Sequence, residues 1–277
     1  MAGKVTVPEV RSRKRARGGE PLVMLTAYDT PGARIADAGG VDMILVGDSV
    51  ANTVLGHADT LAVDIVVMAH HTAAVGRAAT RALVVGDLPW MSYHVSVEET
   101  LRNGATLIRA GAGAVKLEGG RARVPMIEAL VGAEIPVMGH LGLTPQSVHA
   151  MGGYKVQAKQ AAAADALLAD ALALEAAGCF ALVLEGVPDV VAERVTAEVD
   201  VPTIGIGAGS ACDGQVLVFH DLLGLSAGPV PKFVRRYADL AGVATAAVTT
   251  WAADVRGGAF PADAETYHLP VAAPGGR

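Results

Sequence analysis

The sequence is poor in aromatic residues and cysteine and contains no long apolar run. Four Phe, two Trp and five Tyr among 277 residues mean that any core is built mainly from aliphatic side chains. Two cysteines, Cys179 and Cys212, are too few for a disulfide framework in a chain of this length, so we expect a reducing, cytoplasmic compartment. The longest uncharged stretch, residues 135–154, contains two prolines and several glycines, which excludes a membrane span.

An excess of basic charge is also lacking. The 22 Lys and Arg against 28 Asp and Glu give a net charge of −6, which argues against nucleic acid as the main partner. The basic residues near the N-terminus are interpreted as a solvated first helix, with a nuclear-localisation or RNA-binding arm as the less favoured alternative. They are Arg11, Arg13, Lys14, Arg15 and Arg17.

A short apolar run that ends in polar residues recurs seven times along the chain, and an eighth candidate follows closely after the seventh. The runs span residues 22–29, 41–49, 82–89, 112–119, 135–142, 179–186, 201–209 and 215–224. Because they are continuous rather than alternating, they indicate parallel strands covered on both faces. Eight such units in about 250 residues predict an α/β fold, a (β/α)8 TIM barrel. An open doubly wound sheet is the alternative, but its glycine-rich fingerprint is missing from the first strand-to-helix turn.

The domain organisation follows from the same pattern. No linker rich in Pro or Ser divides the chain, so we predict one barrel over residues 1–277. A helical extension precedes the barrel at the N-terminus. From about residue 261 the tail loses its periodicity, and we expect it to be partly irregular and frayed at its end.

The carboxyl ends of the predicted strands carry the residues that can bind a metal or take part in a reaction. Active sites of parallel barrels form at these ends, so we expect the side chains to meet at one rim. They are Asp48, Ser49, Asp87, Lys116, Glu118, His140 and Glu185. Several carboxylates without clustered Cys or His suit a hard cation such as Mg²⁺, which would hold a 2-oxo acid through two oxygens.

Each of these residues also has a purely structural interpretation. Asp48 and Asp87 could cap the helices that follow their strands. His140 could be an ordinary hydrogen-bonded histidine, and Glu185 a lone surface carboxylate. Lys116 lies inside an apolar strand, where a lysine must be paired or have a shifted pKa.

Taken as a set, the residues predict metal-assisted chemistry beside a carbonyl group. The metal would act as a Lewis acid, and a carboxylate kept off the metal would take a proton. Glu185 is the predicted base because its run is the most apolar of the set. Lys116 would supply positive charge where negative charge develops.

Six longer strings resemble the 3-methyl-2-oxobutanoate (ketopantoate) hydroxymethyltransferase family. They are MLTAYD (24–29), LVGDSVANTVLGH (45–57), VVGDLPWMSYH (84–94), AVKLEGG (114–120), MGHLGLTPQSVHAMGGYKVQ (138–157) and PTIGIGAGSACDGQVLVFHDLLGL (202–225). They are colinear, and with two further strings they cover nearly the whole chain. The resemblance implies a (β/α)8 barrel of the phosphoenolpyruvate/pyruvate superfamily and a homo-oligomer, commonly a homodecamer.

The resemblance also assigns roles to residues. Asp48, Asp87 and Glu118 would bind one Mg²⁺ per subunit. Asp48, Ser49, Asp87 and Lys116 would contact the substrate, 3-methyl-2-oxobutanoate.

The implied reaction begins with removal of a proton from C3 of the 2-oxo acid by Glu185. The Mg²⁺-stabilised enolate then attacks the one-carbon unit of 5,10-methylenetetrahydrofolate, the co-substrate, giving tetrahydrofolate and 2-dehydropantoate for pantothenate biosynthesis. His140 is an additional polar group of the pocket.

Three places depart from the family pattern, and two other functions remain as alternatives. The stretch AGAGAV (110–115) is one residue shorter than usual before the lysine. Ala158 stands where the family has glycine, so its backbone is expected to need a positive φ, and Gly186 replaces a larger residue after the base. One alternative is another Mg²⁺-dependent lyase or mutase of the superfamily, although its K-K-C-G-H-type loop is absent. The other is a non-catalytic metabolite-binding barrel.

Overall fold

In this computed structural model, which describes residues 3–228 and 230–269, eight parallel strands close into a barrel. Each strand pairs with the next along the chain, and the last pairs with the first. The strands are β1 Leu22–Thr26, β2 Met43–Val46, β3 Leu83–Asp87, β4 Ala114–Glu118, β5 Val137–Gly142, β6 Ala181–Glu185, β7 Thr203–Ile206 and β8 Gly214–Leu217. The predicted (β/α)8 barrel is confirmed, and every strand overlaps one of the eight apolar runs.

The connections between strands are mostly helical. In the described residues the helices are α1 Val7–Ser12, α2 Thr30–Ala38, α3 Val50–Thr53, α4 Ile65–Gly76, α5 Val97–Arg109, α6 Val124–Gly132, α7 Val148–Met151, α8 Ala161–Ala176, α9 Asp189–Glu198, α10 Phe219–Leu222 and α11 Leu240–Gly257. Short polar side chains begin several of them, as where Ser96 accepts a hydrogen bond from the Glu99 N–H at the start of α5.

Two aliphatic clusters fill the molecule, one inside the barrel and one between the strands and the outer helices. The inner cluster comes from inward-facing strand residues such as Met24, Leu45 and Val183. Full burial of each such side chain stabilises the fold by about 1.5–3 kcal/mol. The inner cluster thus forms a solid floor beneath the carboxyl ends of the strands, and polar groups can gather above it.

The N-terminal segment closes the opposite end of the barrel, where the strands begin. Val5 and Val10 join the inner cluster. The prediction of a solvated basic helix is wrong for Lys14, which is 3% exposed and whose Nζ lies 3.0 Å from Asp213 Oδ2. α1 ends at Ser12, and the chain then bends under the barrel, where buried acceptors bind the ammonium group.

The C-terminal helix differs from the others because none of its residues is buried. Its exposed apolar side chains are Leu240, Val243, Val248, Trp251 and Val255. Beyond it, residues 263–265 form a single 3-10 turn. The predicted frayed end falls at residues 270–277, outside the described residues. None of the helices described is long and apolar enough to cross a membrane.

Candidate active site

A cavity of about 600 Å³ opens at the carboxyl ends of the strands. All seven predicted site residues line it: Asp48, Ser49, Asp87, Lys116, Glu118, His140 and Glu185. Strand register brings them together, because Asp87 pairs with Lys116 across β3 and β4, and Glu118 pairs with His140 across β4 and β5. Residues up to 137 positions apart in sequence (185 − 48) therefore share one rim.

Lys116 is the buried positive charge of the cavity. Its Nζ lies 2.9 Å from Asp87 Oδ2 and 3.7 Å from Glu118 Oε1. Burial by itself lowers the pKa of Lys116, but the charges of Asp87, Glu118 and Asp48 outweigh it and raise the pKa above its usual value. The lysine is therefore paired and charged, as the sequence required.

The two aspartates do not cap helices. Asp48 Oδ2 accepts a hydrogen bond from Gln146 Nε2 at 2.9 Å, and Asp87 Oδ2 accepts one from the Asp48 N–H at 3.2 Å. Burial, and then repulsion by Asp87 and Glu118, holds the pKa of Asp48 well above its usual range. Burial also raises the pKa of Asp87, although Lys116 opposes this shift. These contacts favour a functional over a capping role for both residues.

His140 lies between two carboxylates. Its Nδ1 is 3.1 Å from Glu118 Oε1, and its Nε2 is 3.2 Å from Glu185 Oε2, an ion-pair distance without hydrogen-bond alignment. Burial and Lys116 lower the pKa of His140, but the two glutamates overcome them and raise it to about 9. For Glu118, burial raises the pKa, and the charge and hydrogen bond of His140 lower it below its usual value.

The donor set suits a hard cation, although it does not form a finished coordination shell. Among the residues described, no three or more His, Cys, Asp and Glu side chains are arranged to hold a metal ion as they stand. Asp87 Oδ1, however, is buried without a hydrogen-bond partner in this part of the chain. Mg²⁺ keeps several waters and usually takes one or two protein carboxylates, so Asp48 and Asp87 fit this ion.

The sequence did not identify Gln146, Tyr93 or Tyr28, which form hydrogen bonds with the predicted site residues or with one another. The Tyr93 hydroxyl donates to Gln146 Oε1 at 2.7 Å, and the Tyr28 hydroxyl lies 2.8 Å from Ser49 Oγ. All three lie within the strings that carry the family resemblance. That overlap was the available signal, because a buried amide or phenol has no periodicity of its own.

The floor and mouth of the cavity are apolar. Leu45, Val183, Ile206 and Val216 line it from the barrel interior, and Tyr154, Leu225 and Phe233 line it towards solvent. The GIGAG turn packs against this mouth, because Gly207 has φ +62° and an added Cβ would lie 2.7 Å from Phe233 Cδ1. This contact favours close packing as the role of that turn.

Comparison with known proteins agrees with the geometry. The family described as Ketopantoate hydroxymethyltransferase matches residues 4–263. The chain is 54% identical to 3-methyl-2-oxobutanoate hydroxymethyltransferase of Koribacter versatilis (strain Ellin345), covering 96% of this chain and 90% of the relative. It is 57% identical to the protein of that name from Nitratidesulfovibrio vulgaris (strain DP4), covering 92% and 84%.

Solved structures share the fold at lower identity. A phosphonopyruvate hydrolase in complex with oxalate and Mg²⁺ superposes with a TM-score of 0.60 at 14% identity, covering 95% of this chain and 92% of that one. A 2,3-dimethylmalate lyase gives 0.58 at 19% identity, covering 95% and 92%. Fold likeness at this identity does not choose between the enzymes, whereas the family match and the close relatives do. The chain belongs to the ketopantoate hydroxymethyltransferase family.

Proposed function

We propose that this chain transfers a one-carbon unit from 5,10-methylenetetrahydrofolate to 3-methyl-2-oxobutanoate as a hydroxymethyl group. The reaction consumes one water and gives tetrahydrofolate and 2-dehydropantoate, the latter for pantothenate biosynthesis. The observation that carries the proposal is the meeting of three buried carboxylates, a buried ammonium group and a partly open glutamate in one cavity. Membership of the family supports the same reaction.

The cavity has a polar side and an apolar side, as does the proposed substrate. Lys116 and Ser49 supply donors for the carboxylate and keto oxygens of a 2-oxo acid. Beneath them, Leu45, Val183 and Ile206 offer an aliphatic surface for the two methyl groups on C3. A substrate bound in this orientation would hold C3 between the apolar floor and the carboxylates.

Asp48 and Asp87 would hold the Mg²⁺ ion, with Glu118 as the third predicted ligand. When bound, the ion would act as a Lewis acid that polarises the keto group. Asp87 Oδ1 supports this assignment, because it is buried and has no hydrogen-bond partner among the described residues. A phosphonopyruvate hydrolase of the same fold was solved in complex with oxalate and Mg²⁺, which supports this choice of ion.

Glu185 is the proposed base that removes the C3 proton. Its side chain is 16% exposed, so it is more open to the cavity than the buried carboxylates and can meet the substrate. His140 Nε2 lies 3.2 Å from Glu185 Oε2, so a protonated His140 attracts this carboxylate. A positioned base contributes about 10²–10⁴-fold to the rate of proton transfer.

The cavity has room for the folate co-substrate beside the 2-oxo acid. A small 2-oxo acid fills only part of the cavity of about 600 Å³, and Phe233 and Tyr154 at its mouth could contact the pterin ring of the folate co-substrate.

The exposed apolar face of α11 supports a homo-oligomer, for which we propose the homodecamer of the family. Light scattering should then give ten times 28.1 kDa. Two free, buried cysteines support a cytoplasmic location.

The reaction is tested by proton NMR in D2O with 3-methyl-2-oxobutanoate, with Mg²⁺ present or chelated, and with or without the folate. We expect loss of the C3 proton signal, and ketopantoate formation when folate is added, only with Mg²⁺. Glu185→Gln should slow both by at least about 100-fold while the protein stays folded. If folded, metal-loaded protein gives no exchange and no product, the proposal is overturned.

A further inference from the structure

Gln146 contacts two of the predicted metal ligands. It lies in the 3-10 turn after β5, and it is buried. Its Nε2 donates to Asp48 Oδ2 at 2.9 Å and to the Leu88 carbonyl oxygen at 3.0 Å. Its backbone N–H donates to Glu118 Oε2 at 3.0 Å. One residue thus connects the loops that follow β2 and β3 with the end of β4.

The orientation of the Gln146 amide is determined by its neighbours. The Glu118 backbone N–H can only donate, and it donates to the Tyr93 hydroxyl oxygen at 3.2 Å. The hydroxyl hydrogen of Tyr93 is then directed to Gln146 Oε1, 2.7 Å away. Since Oε1 is the acceptor, the two N–H groups of Nε2 must face Asp48 and Leu88. The amide therefore donates to the Asp48 carboxylate in a single orientation.

This arrangement fixes how Asp48 faces the cavity. Asp48 lines the cavity. Gln146 engages its Oδ2, and no hydrogen bond from the described residues reaches its Oδ1. Without the amide, repulsion from the neighbouring buried Asp87 would favour rotation of Asp48 away from it. The buried Gln146 side chain thus holds one carboxylate oxygen and leaves the other for a ligand.

We propose that Gln146 is a positioning residue, whose side chain orients the Asp48 carboxylate for a divalent cation. The inference rests on the proposed Mg²⁺-dependent function. Hydrogen bonds to ligating carboxylates typically change metal affinity or activity by about 10–100-fold.

The test is Mn²⁺ binding to the full-length protein without substrate or folate, followed by the electron paramagnetic resonance signal of free Mn²⁺. Gln146→Met keeps the length of the side chain and removes both hydrogen-bonding atoms. We expect its Kd for Mn²⁺ to rise by about 10–100-fold. Gln215→Met is the matched control on the outer face of β8, where Gln215 donates to the Gly209 carbonyl, and its Kd should be unchanged.

The outcomes separate this inference from the proposed function. If the wild-type protein does not bind Mn²⁺, the metal-dependent function fails and the inference fails with it. If the wild-type protein binds and folded Gln146→Met binds equally well, only the positioning role is overturned. Should Gln146→Met not fold, Tyr93→Phe decides, because it removes the hydroxyl that orients the amide. A Kd raised at least about threefold supports the role, and an unchanged Kd overturns it.

Discussion

Two buried ammonium–carboxylate pairs lie at opposite ends of this barrel, and they differ in how completely their polar atoms are satisfied. At the amino ends of the strands, Lys14 Nζ has three acceptors: Asp213 Oδ2 at 3.0 Å and the carbonyl oxygens of Thr196 and Val201 at 2.6 and 3.2 Å. Asp213 in turn accepts from the backbone N–H groups of Arg15 and Thr203. Every donor of the ammonium group is used.

At the carboxyl ends, the pair is incomplete. Lys116 lies 2.9 Å from Asp87, but Asp48 and Glu118 add further buried negative charge, and Asp87 Oδ1 has no hydrogen-bond partner in the described residues. We call Lys14–Asp213 the closed pair and Lys116–Asp87 the open pair. The closed pair joins segments far apart in the chain, whereas the open pair faces a cavity. The difference shows that surplus charge with unsatisfied atoms, rather than burial of charge alone, distinguishes the candidate active site.

The largest effect on stability is expected at the closed pair. Asp213→Asn leaves the Lys14 ammonium group buried without a counter-charge, which typically costs about 3–5 kcal/mol. Urea unfolding measures this loss. Activity of the protein that remains folded should stay near the wild-type value, because the change lies at the other end of the barrel. A loss below about 1 kcal/mol would contradict the comparison.

The largest effect on activity without loss of stability is expected at the open pair. Asp87→Asn removes one negative charge from a cluster that holds an excess of them, and it deletes a predicted metal ligand. We expect a fall of about 100-fold or more in kcat/KM. Thermal unfolding in a chelator should show a midpoint equal to or above that of the wild type. A destabilisation as large as that of Asp213→Asn would remove the distinction between the two ends.

A satisfied carboxylate nearer the surface should have a smaller effect. Asp37 accepts hydrogen bonds from the backbone N–H groups of Thr80, Arg81 and Ala82. Burial raises the pKa of Asp37, but the hydrogen bonds together outweigh it and hold the pKa below its ordinary value. Asp37→Asn should therefore lower the free energy of unfolding by about 1 kcal/mol at neutral pH.

The pH dependence gives the sign of this contribution. A lowered pKa in the folded protein stabilises the fold above the unfolded-state pKa, near 4, and this stabilisation is lost as the pH falls through the folded-state pKa. Wild type and Asp37→Asn should therefore converge in stability below about pH 4. Urea midpoints at several pH values would test this, and a constant difference would contradict it.

The smallest effect concerns backbone strain in the loop before α8. Ala158 has φ +54°, which confirms the positive φ predicted from the family's glycine. Ala158→Gly should raise the free energy of unfolding by about 0.5–1 kcal/mol, since glycine adopts this conformation without the Cβ clash. Unchanged or lower stability would show that the loop relaxes around alanine.

The fold was predictable because its signal is local and repeated eight times. Each apolar run indicates a strand that is buried on both faces of the sheet, and Asp48, Asp87, Glu118 and Glu185 lie where such runs end. Gln146 was not predictable, because its partners lie at the end of β4 and on the loops that follow β2 and β3. Lys14 was misassigned to a solvated helix for a similar reason, since its partner Asp213 is 199 residues away.

By itself, the sequence determined the barrel, its rim residues and the family, since these depend on short-range patterns and ordered strings. Only the tertiary structure decided which charges are satisfied. Lys14 and Lys116 are both buried lysines, yet one is enclosed by acceptors and the other shares a cavity with surplus carboxylates. Electrostatic free energy depends on distances and burial across the whole fold, and these are set only when the barrel closes.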